Sequence, residues 1–564
     1  MSPETNDEER PLLSGTSTSR YIPSSSNTPG ATPVPKPLND PSSIRLVLIV
    51  VSLWSAVFLG ALDTTIVATL LASIGSHFNR AHQASYLGSS YLLSVCCFTP
   101  LYGRLSDIIG RKGAMLLGLS LFGGGTILCG FAPSMEALIA ARAIAGMGGG
   151  GIMTVSSITI SDLVPLKKRG MFQGGANILY GFGAALGGPL GGFINDHFGW
   201  RWAFFIQAPI LLTTFTLVLI FVDVKLPHQA QTPREKLARI DYLGSITLVV
   251  GIGCSLLAVT LKGSEDLSWR SPLILGLLAV GAVFLIGFVS VEGYVSKEPI
   301  MPLRLLKERT PRAVALANFF LSMVSFSIMY NAPLYFQAVV LESAQTAGLR
   351  FIPYAFVIAT GSLCTGLYMR WTGRFYYLTL LSGLLTILST ALLATWRQSS
   401  PPIHLWGDIL PAGLGIGSVL TTTLIGLIAS VDREDVAVAT GISYLFRTTG
   451  QVIGVSLSGA LLQSVLVKNL HERITGPGSA EIIQSIRHSI TIIPNLPPYI
   501  RQAAVESYQR SLHAVFLGQL ACATLMFIAL VPIEENPLPG SMEEQAEQED
   551  LRRSRKLLAG RSVT

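Results

Sequence analysis

The feature that most constrains this sequence is a series of apolar stretches that recur along most of its length. A helix of about 20 residues crosses the hydrocarbon core of a bilayer, which is ~30 Å thick. Because open strands and loops leave backbone groups unpaired in lipid, stretches of this length predict membrane-spanning helices. We therefore predict an all-α membrane protein. Its fourteen predicted spans are approximately residues 46–70, 85–102, 114–132, 136–160, 171–194, 202–222, 240–261, 272–292, 312–339, 347–369, 376–396, 405–430, 437–467 and 513–533.

The composition agrees with a location in membrane lipid. Only 13% of the 564 residues are charged, whereas soluble domains carry roughly 25%. The formal net charge of +7 does not indicate a nucleic-acid partner, because the basic residues lie in short segments between apolar stretches. That arrangement is typical of membrane proteins, whose basic loops stay in the cytoplasm.

The distribution of lysine and arginine predicts the orientation. Loops after even-numbered spans hold about 18 of these residues, against about 6 in the short loops after odd-numbered spans. Both termini and the even-numbered loops are therefore predicted to lie in the cytoplasm.

The fourteen spans predict two six-helix bundles with two extra helices between them. Parallel repeats of this kind place the substrate near the membrane midplane, between the halves. The predicted regions are a disordered cytoplasmic tail at 1–43, an N-terminal bundle at 44–224, a linker region with two spans at 225–311, a C-terminal bundle at 312–533 with a long lumenal loop at 468–512, and a cytoplasmic tail at 534–564.

The N-terminal tail contains Glu8, Leu12 and Leu13 in the spacing Glu-x-x-x-Leu-Leu. This is the pattern of an acidic dileucine sorting signal, which predicts a clathrin-type adaptor as a partner. A pattern this short also arises by chance.

A segment rich in glycine and charge lies between spans 2 and 3. Its glycines permit a tight turn, and its charged residues can pair across helix ends. Such a cluster can latch one side of the protein and release it when the halves move. Alternatively, its basic residues only anchor the topology. The gating residues predicted here are Gly103, Arg104, Asp107, Gly110, Arg111 and Lys112.

The spacing of this segment resembles the G-x-L-a-D-r-x-G-r-k/r pattern of the major facilitator superfamily. Three further segments resemble its fourteen-spanning drug:proton antiporters, at 62–67, 141–148 and 200–209. Gln207 replaces the usual asparagine of the last segment. The resemblance implies the major facilitator fold and exchange of a small-molecule substrate for protons.

Span 5 contains a segment similar to the antiporter motif of these transporters, with one residue fewer than the usual G-P-x-x-G-G spacing. Its residues are Gly187, Gly188, Pro189, Gly191 and Gly192. The proline and glycines let the helix bend between two states, although a kinked, rigidly packed helix has the same sequence. The shortened motif, Gln207 and the dileucine tail together resemble the fungal vacuolar transporters of basic amino acids.

Charged residues inside predicted spans are costly in lipid and therefore mark candidate functional sites. Asp63 in span 1 can bind a proton or a cationic group, or it can simply pair with a basic residue or cap a broken helix. Arg142 in span 4 can modulate such a carboxylate, or bond to backbone carbonyl groups.

Polar and aromatic residues in the central helices are candidates for substrate contact, although each can instead form a helix–helix hydrogen bond. The candidates are Asn177, Tyr180, Asn318, Asn331, Tyr335, Arg447 and Gln451.

The sequence contains no recognisable catalytic motif, nucleotide-binding domain or metal-ligand spacing. We therefore expect a transporter driven by a gradient, with no enzymatic activity, cofactor or metal. The preferred function is a vacuolar antiporter that imports lysine, arginine and histidine in exchange for lumenal protons. The alternatives are a plasma-membrane exporter of drugs or metabolites and a nutrient receptor that does not transport.

Overall fold

The computed structural model is helical throughout the part of the chain that it describes, which confirms the predicted all-α class. The described residues are 42–78, 80, 83, 85–224, 235, 239–264, 269–296, 298–342, 344–476, 478–488, 490–540 and 544. The predicted sorting residues Glu8, Leu12 and Leu13 lie outside them, as does nearly all of the predicted disordered tail.

Fourteen long helices form the body of the described chain. They are α1 (Ser43–His77), α2 (Ser85–Ile109), α3 (Arg111–Phe131), α4 (Met135–Leu163), α5 (Leu166–Phe198), α6 (Trp202–Phe205 and Gln207–Phe221), α7 (Tyr242–Ser264), α8 (Pro272–Tyr294), α9 (Arg309–Ala338), α10 (Ile352–Thr372), α11 (Tyr376–Ala394), α12 (Leu410–Ser430), α13 (Val436–Arg473) and α14 (Pro498–Leu530). Shorter helical segments are Leu303–Lys307, Ala344–Leu349, Pro402–Gly407, Arg433–Asp435, Ser479–His488 and Ile490–Asn495.

Thirteen helices in the described part are long and apolar enough to cross a membrane, and α5 is not among them. The sequence of α5 explains this, because it begins with a basic turn and is rich in glycine, which adds little hydropathy. Its 33 residues nevertheless lie beside α1 and α10, which are both among the thirteen. Its position therefore agrees with a fourteenth span of low hydropathy.

Two separate hydrophobic cores hold the helices together. One core is built by buried residues of α1 to α6 and the following loop, between Ile49 and Val224. The other is built mainly by α9 to α14, and Tyr335, Phe336 and Phe516 are among its most buried side chains. Each half of the chain thus packs around its own core, as expected of two bundles.

The two extra helices, α7 and α8, pack against each other beside a seam between the bundles. α7 contacts α2 of the first bundle and α13 of the second. A third, smaller core joins them, with Cys96 from α2, Leu248 from α7 and Leu445 from α13. None of the described residues of α7 and α8 lines the central cavity described below.

The long loop predicted at 468–512 is shorter in the structure. α13 continues to Arg473 and α14 already begins at Pro498, so the connection spans residues 474–497. The helix ends extend because they carry core residues, and both Leu470 and Leu512 are fully buried.

Candidate functional site

A central cavity of about 300 Å³ lies between the two bundles. Four helices of the first bundle line it, α1, α2, α4 and α5, and four of the second, α9, α10, α12 and α13. The cavity occupies the place where two parallel repeats are expected to hold a substrate.

The wall of the cavity is mainly apolar and aromatic. Its aromatic side chains include those of Trp54, Tyr91, Tyr180, Tyr330 and Tyr444. No aspartate or glutamate is among the lining residues that the structure describes, and their one charged group is the guanidinium of Arg447.

Four of the seven predicted substrate-lining residues reach this cavity, namely Asn177, Tyr180, Arg447 and Gln451. Asn177 also joins the bundles, because its Nδ2 donates a hydrogen bond of 2.7 Å to Ser362 Oγ on α10. For Asn177 the structure therefore shows the interhelical hydrogen bond that was its alternative, and contact with a substrate stays a prediction.

The other three predicted residues lie outside the central cavity. Asn318 is buried and donates to Ser443 Oγ at 3.1 Å, which is the helix–helix bond given as its alternative. Asn331 donates to Ser458 Oγ at 3.1 Å and lines a separate pocket of about 310 Å³ between α9 and α13. Tyr335 is 1% exposed, within the core of the second bundle.

Asp63 and Arg142 form a salt bridge inside the first bundle. Arg142 Nη1 lies 2.7 Å from Asp63 Oδ2, and the two side chains are 1% and 0% exposed. Gln207 Nε2 on α6 donates to the other carboxylate oxygen at 3.5 Å. Neither charged residue lines the cavity, so this acid is shielded from direct contact with a substrate there.

Tyr91 lies between this ion pair and the cavity. The guanidinium carbon of Arg142 is 4.3 Å from the centroid of the Tyr91 ring, a cation–π distance. The same tyrosine lines the cavity. A displacement of Arg142 would therefore move Tyr91 and with it part of the cavity wall. Sequence reasoning missed Tyr91, because a tyrosine in an apolar span carries no sign of the face it occupies.

The predicted gating segment contains an ion-pair cluster centred on Arg111. This guanidinium donates to Asp107 at 2.6 Å and to Ser106 at 2.7 Å, both at the end of α2. It also donates at 2.7 Å to Asp162 at the end of α4, a partner that the motif itself did not reveal. Gly110 has φ 90°, which a side chain would strain, so the tight turn requires glycine here.

The remaining basic residues of the segment differ in their surroundings. Arg104 pairs at 2.7 Å with Glu298, which also pairs at 2.7 Å with Arg239. This network connects α2 to the segments that flank α7 and α8. Lys112 is half-buried at the start of α3.

The two bundles touch at the end of the molecule that carries this segment. A methyl group at Gly103 on α2 would lie 2.8 Å from the carbonyl oxygen of Ala437 on α13. On the second seam, a methyl group at Gly174 on α5 would lie 2.7 Å from Leu363 Cα on α10. Glycines thus let the backbones approach closely and close the cavity on this side.

The residues after α14 cross the same end. The backbone N–H of Lys167, at the start of α5, donates to Pro539 O at 3.2 Å. Leu538 is buried in one core with Leu166 of the first bundle. Glu535 accepts at 3.0 Å from the backbone N–H of Phe375, before α11. This C-terminal strap, residues 531–540, therefore contacts both bundles at the closed end.

At the opposite end, α5 and α10 diverge. Further along α5, a methyl group at Gly181 would have its nearest neighbour, Ala359 Cβ, at 4.0 Å. Beyond it, a methyl group at Gly188 or Gly192 would meet no atom of α10 within 4 Å. Along the seam between α5 and α10, the bundles are therefore in contact at the end with the gating segment and separate towards the other end.

The predicted antiporter motif packs against α1 through alternate glycines. A methyl group at Gly187 would lie 2.7 Å from the carbonyl oxygen of Leu62, whereas one at Gly188 would have its nearest neighbour at 3.8 Å and one at Gly192 would have none within 4 Å. Gly191 faces α1 in the same way as Gly187. Pro189 lies within α5, which continues to Phe198.

Two helical bundles around a central cavity, closed at one end and held in membrane-length helices, define a membrane transporter. The chain belongs to the Major Facilitator Superfamily, whose family model matches residues 53–455. The resemblance that the gating segment indicated is thereby confirmed.

Three fungal relatives cover most of the chain. "Multidrug resistance protein fnx1" of Schizosaccharomyces pombe is 43% identical, over 83% of this chain and 88% of the relative. "Vacuolar membrane amino acid uptake transporter fnx2" of the same organism is 36% identical, over 85% and 82%. "Vacuolar basic amino acid transporter 2" of Saccharomyces cerevisiae is 31% identical, over 79% and 97%.

A solved structure shares the fold. The proton:xylose symporter XylE, a major facilitator superfamily protein, aligns with a TM-score of 0.57 at 15% identity, over 90% of this chain and 99% of that one. At this identity the likeness concerns the arrangement of helices alone.

Proposed function

We propose that this transporter is a proton-coupled antiporter that moves lysine, arginine and histidine from the cytosol into the vacuole. The observation that carries the proposal is a buried acid–base pair, Asp63–Arg142, placed one side chain behind the wall of a cavity between two bundles. The names of two relatives, a vacuolar amino acid uptake transporter and a vacuolar basic amino acid transporter, support the substrate and the membrane.

The coupling step that we propose takes place at Asp63. A proton that reaches its carboxylate removes the charge that holds Arg142, and the guanidinium then loses its principal partner. Arg142 shifts against Tyr91, and the cavity wall changes shape. Loss of the proton on the other side of the membrane restores the pair. Proton binding and cavity shape are thereby linked without direct contact between Asp63 and substrate.

The closed end supports a direction for the cycle. Its gating segment lies in one of the loops rich in lysine and arginine, which supports a cytoplasmic location for that end. The structure then corresponds to a state closed to the cytoplasm and separating towards the acidic lumen, from which a proton can enter. Rocking of the bundles breaks the glycine contacts at Gly103 and Gly174 and opens the cytoplasmic side.

The N-terminal dileucine residues supply the delivery route in this proposal. An adaptor that binds Glu8, Leu12 and Leu13 would sort the protein to the vacuolar membrane. Replacing Leu12 and Leu13 with alanine should therefore move a fluorescently tagged chain to the plasma membrane. Unchanged vacuolar delivery of that variant would show that the dileucine residues do not direct sorting.

A second candidate function is export of drugs or metabolites across the plasma membrane. The name of the 43% identical relative favours it, and so does the mainly apolar, aromatic wall of the cavity. This function uses the same fold and the same ion pair, and differs in substrate and location.

Uptake of labelled lysine, arginine and histidine into sealed vacuolar vesicles separates these functions. Uptake that needs an intact proton gradient, and that Asp63→Asn abolishes at equal abundance, would support amino acid exchange. A correctly delivered wild type without uptake would refute the substrate assignment and favour export. Saturable binding without any flux would instead indicate a nutrient receptor.

A further inference from the structure

Arg447 is a charged group in a mainly apolar cavity, and nothing in the proposed coupling step uses it. It lies on α13, half-buried, at the level of Tyr444 and Gln451. Within the part of the chain that the structure describes, no carboxylate lies within salt-bridge distance of its guanidinium. A charge in a membrane interior is costly and is normally paired. We therefore expect an anionic ligand to pair with Arg447.

The surroundings of Arg447 are suited to an anion with an organic body. The guanidinium carbon lies 5.5 Å from the centroid of the Tyr444 ring, and no described residue accepts a hydrogen bond from this guanidinium. Tyr180, on α5 of the other bundle, lines the same cavity. Arg447 therefore lines a space bounded by both bundles, where a ligand would touch the two halves that must move.

Among the described lining residues, the cavity offers no corresponding site for a cation. No acidic residue is among its described lining residues, and the nearby acid, Asp63, is already neutralised by Arg142 behind the wall. A positive side chain of the substrate would meet aromatic rings, such as those of Tyr180 and Tyr330, and would gain a weaker cation–π contact.

We infer that Arg447 binds the carboxylate of the transported substrate and that the cavity selects amino acids by this group, with the side-chain charge a secondary determinant. A guanidinium binds a carboxylate through two parallel N–H···O bonds, which fixes orientation as well as adding affinity. This inference rests on the proposed function and names the specificity determinant of its cavity.

Three molecules of similar length test the inference by binding alone. Lysine carries both a carboxylate and a side-chain amine, norleucine keeps the carboxylate without that amine, and cadaverine keeps the amines without the carboxylate. Binding of each to the purified full-length protein in lipid nanodiscs is measured by calorimetry. We expect the wild type to bind lysine and norleucine about 10- to 100-fold more tightly than cadaverine, because hydrogen bonds to charged groups contribute that much.

Variants of the arginine test its role directly. In Arg447→Gln the preference for lysine over cadaverine should disappear, whereas Arg447→Lys should keep part of it because the charge remains. Arg510→Gln, a change at an exposed arginine of α14, serves as the matched control and should bind all three like the wild type. Removing an unpaired charge from the cavity should not destabilise the fold, and the unfolding temperature of Arg447→Gln checks this.

The outcomes separate this inference from the proposed exchange. Cadaverine binding as tight as that of lysine, a preference that survives Arg447→Gln, or no binding of any of the three overturns the carboxylate site. Binding that depends on Arg447, together with no proton-driven uptake in vesicles, supports the carboxylate site and contradicts the antiport. Proton-driven uptake without a preference for the carboxylate supports the antiport and contradicts the carboxylate site.

Discussion

Replacing Asp63 with asparagine should destabilise the protein through Arg142, because the guanidinium is 1% exposed and would lose its only carboxylate among the described residues. Breaking a buried ion pair by removing one partner costs about 3–5 kcal/mol. The amide oxygen of asparagine can still accept a hydrogen bond, which recovers about 1 kcal/mol. The contact with Tyr91 is present already in the wild type and adds nothing. The expected net loss is therefore about 2–4 kcal/mol.

The assay is unfolding by denaturant in detergent micelles, carried out on a complete double-mutant cycle. Asp63→Asn combined with Arg142→Gln removes both charges and should recover most of the loss, to within about 1 kcal/mol of the wild type. Asp223→Asn, which breaks the exposed pair between Asp223 and Arg45, is the control and should cost less than ~1 kcal/mol. A loss below ~1 kcal/mol for Asp63→Asn would refute the reasoning, because Arg142 would then have found another partner.

Two further predictions concern helix packing and the closed end. Gly187→Ala should destabilise the protein by about 1–3 kcal/mol and reduce uptake, because its methyl group would lie 2.7 Å from a carbonyl oxygen of α1. Gly188→Ala, where the nearest atom is at 3.8 Å, is its control, and equal effects in unfolding and uptake assays would contradict the packing argument. Leu538→Asp should loosen the C-terminal strap. A cysteine introduced into the cavity wall by Ile160→Cys should then react more with a thiol reagent added from the closed side. Asn536→Asp adds the same charge at a half-buried neighbour and should leave labelling unchanged. Equal labelling of both variants would show that the strap does not help to close this end.

The fold could be predicted from the sequence because lipid imposes a simple rule. A spanning helix must be long and apolar, and the stretches that satisfy this rule were visible one by one. The span predicted at 171–194 corresponds to α5, which is helical but does not reach the hydropathy of the thirteen other helices. The loop at 474–497 was predicted too long because polar residues at helix ends hide the packing of Leu470 and Leu512.

The candidate site could be predicted only where a residue was rare for its environment. Asp63 and Arg142 are charges inside apolar spans, and each was identified for that reason. Their pairing is one of several interpretations that the sequence leaves open, because one-dimensional spacing does not show which helices are neighbours. Tyr335 and Tyr91 illustrate the limit. Both are tyrosines in apolar helices, yet the first is buried in a bundle core and the second lines the cavity.

The central claim is that a proton gradient drives exchange through this cavity, and reconstitution tests it most directly. Purified protein in liposomes with an imposed acidic interior should accumulate labelled lysine against its gradient. An ionophore that dissipates the pH difference should abolish the accumulation. The double variant Asp63→Asn/Arg142→Gln, folded but without the titratable pair, should let lysine equilibrate at most. Accumulation in the wild type that does not depend on the pH difference, or accumulation that persists in the double variant, would contradict proton coupling at Asp63.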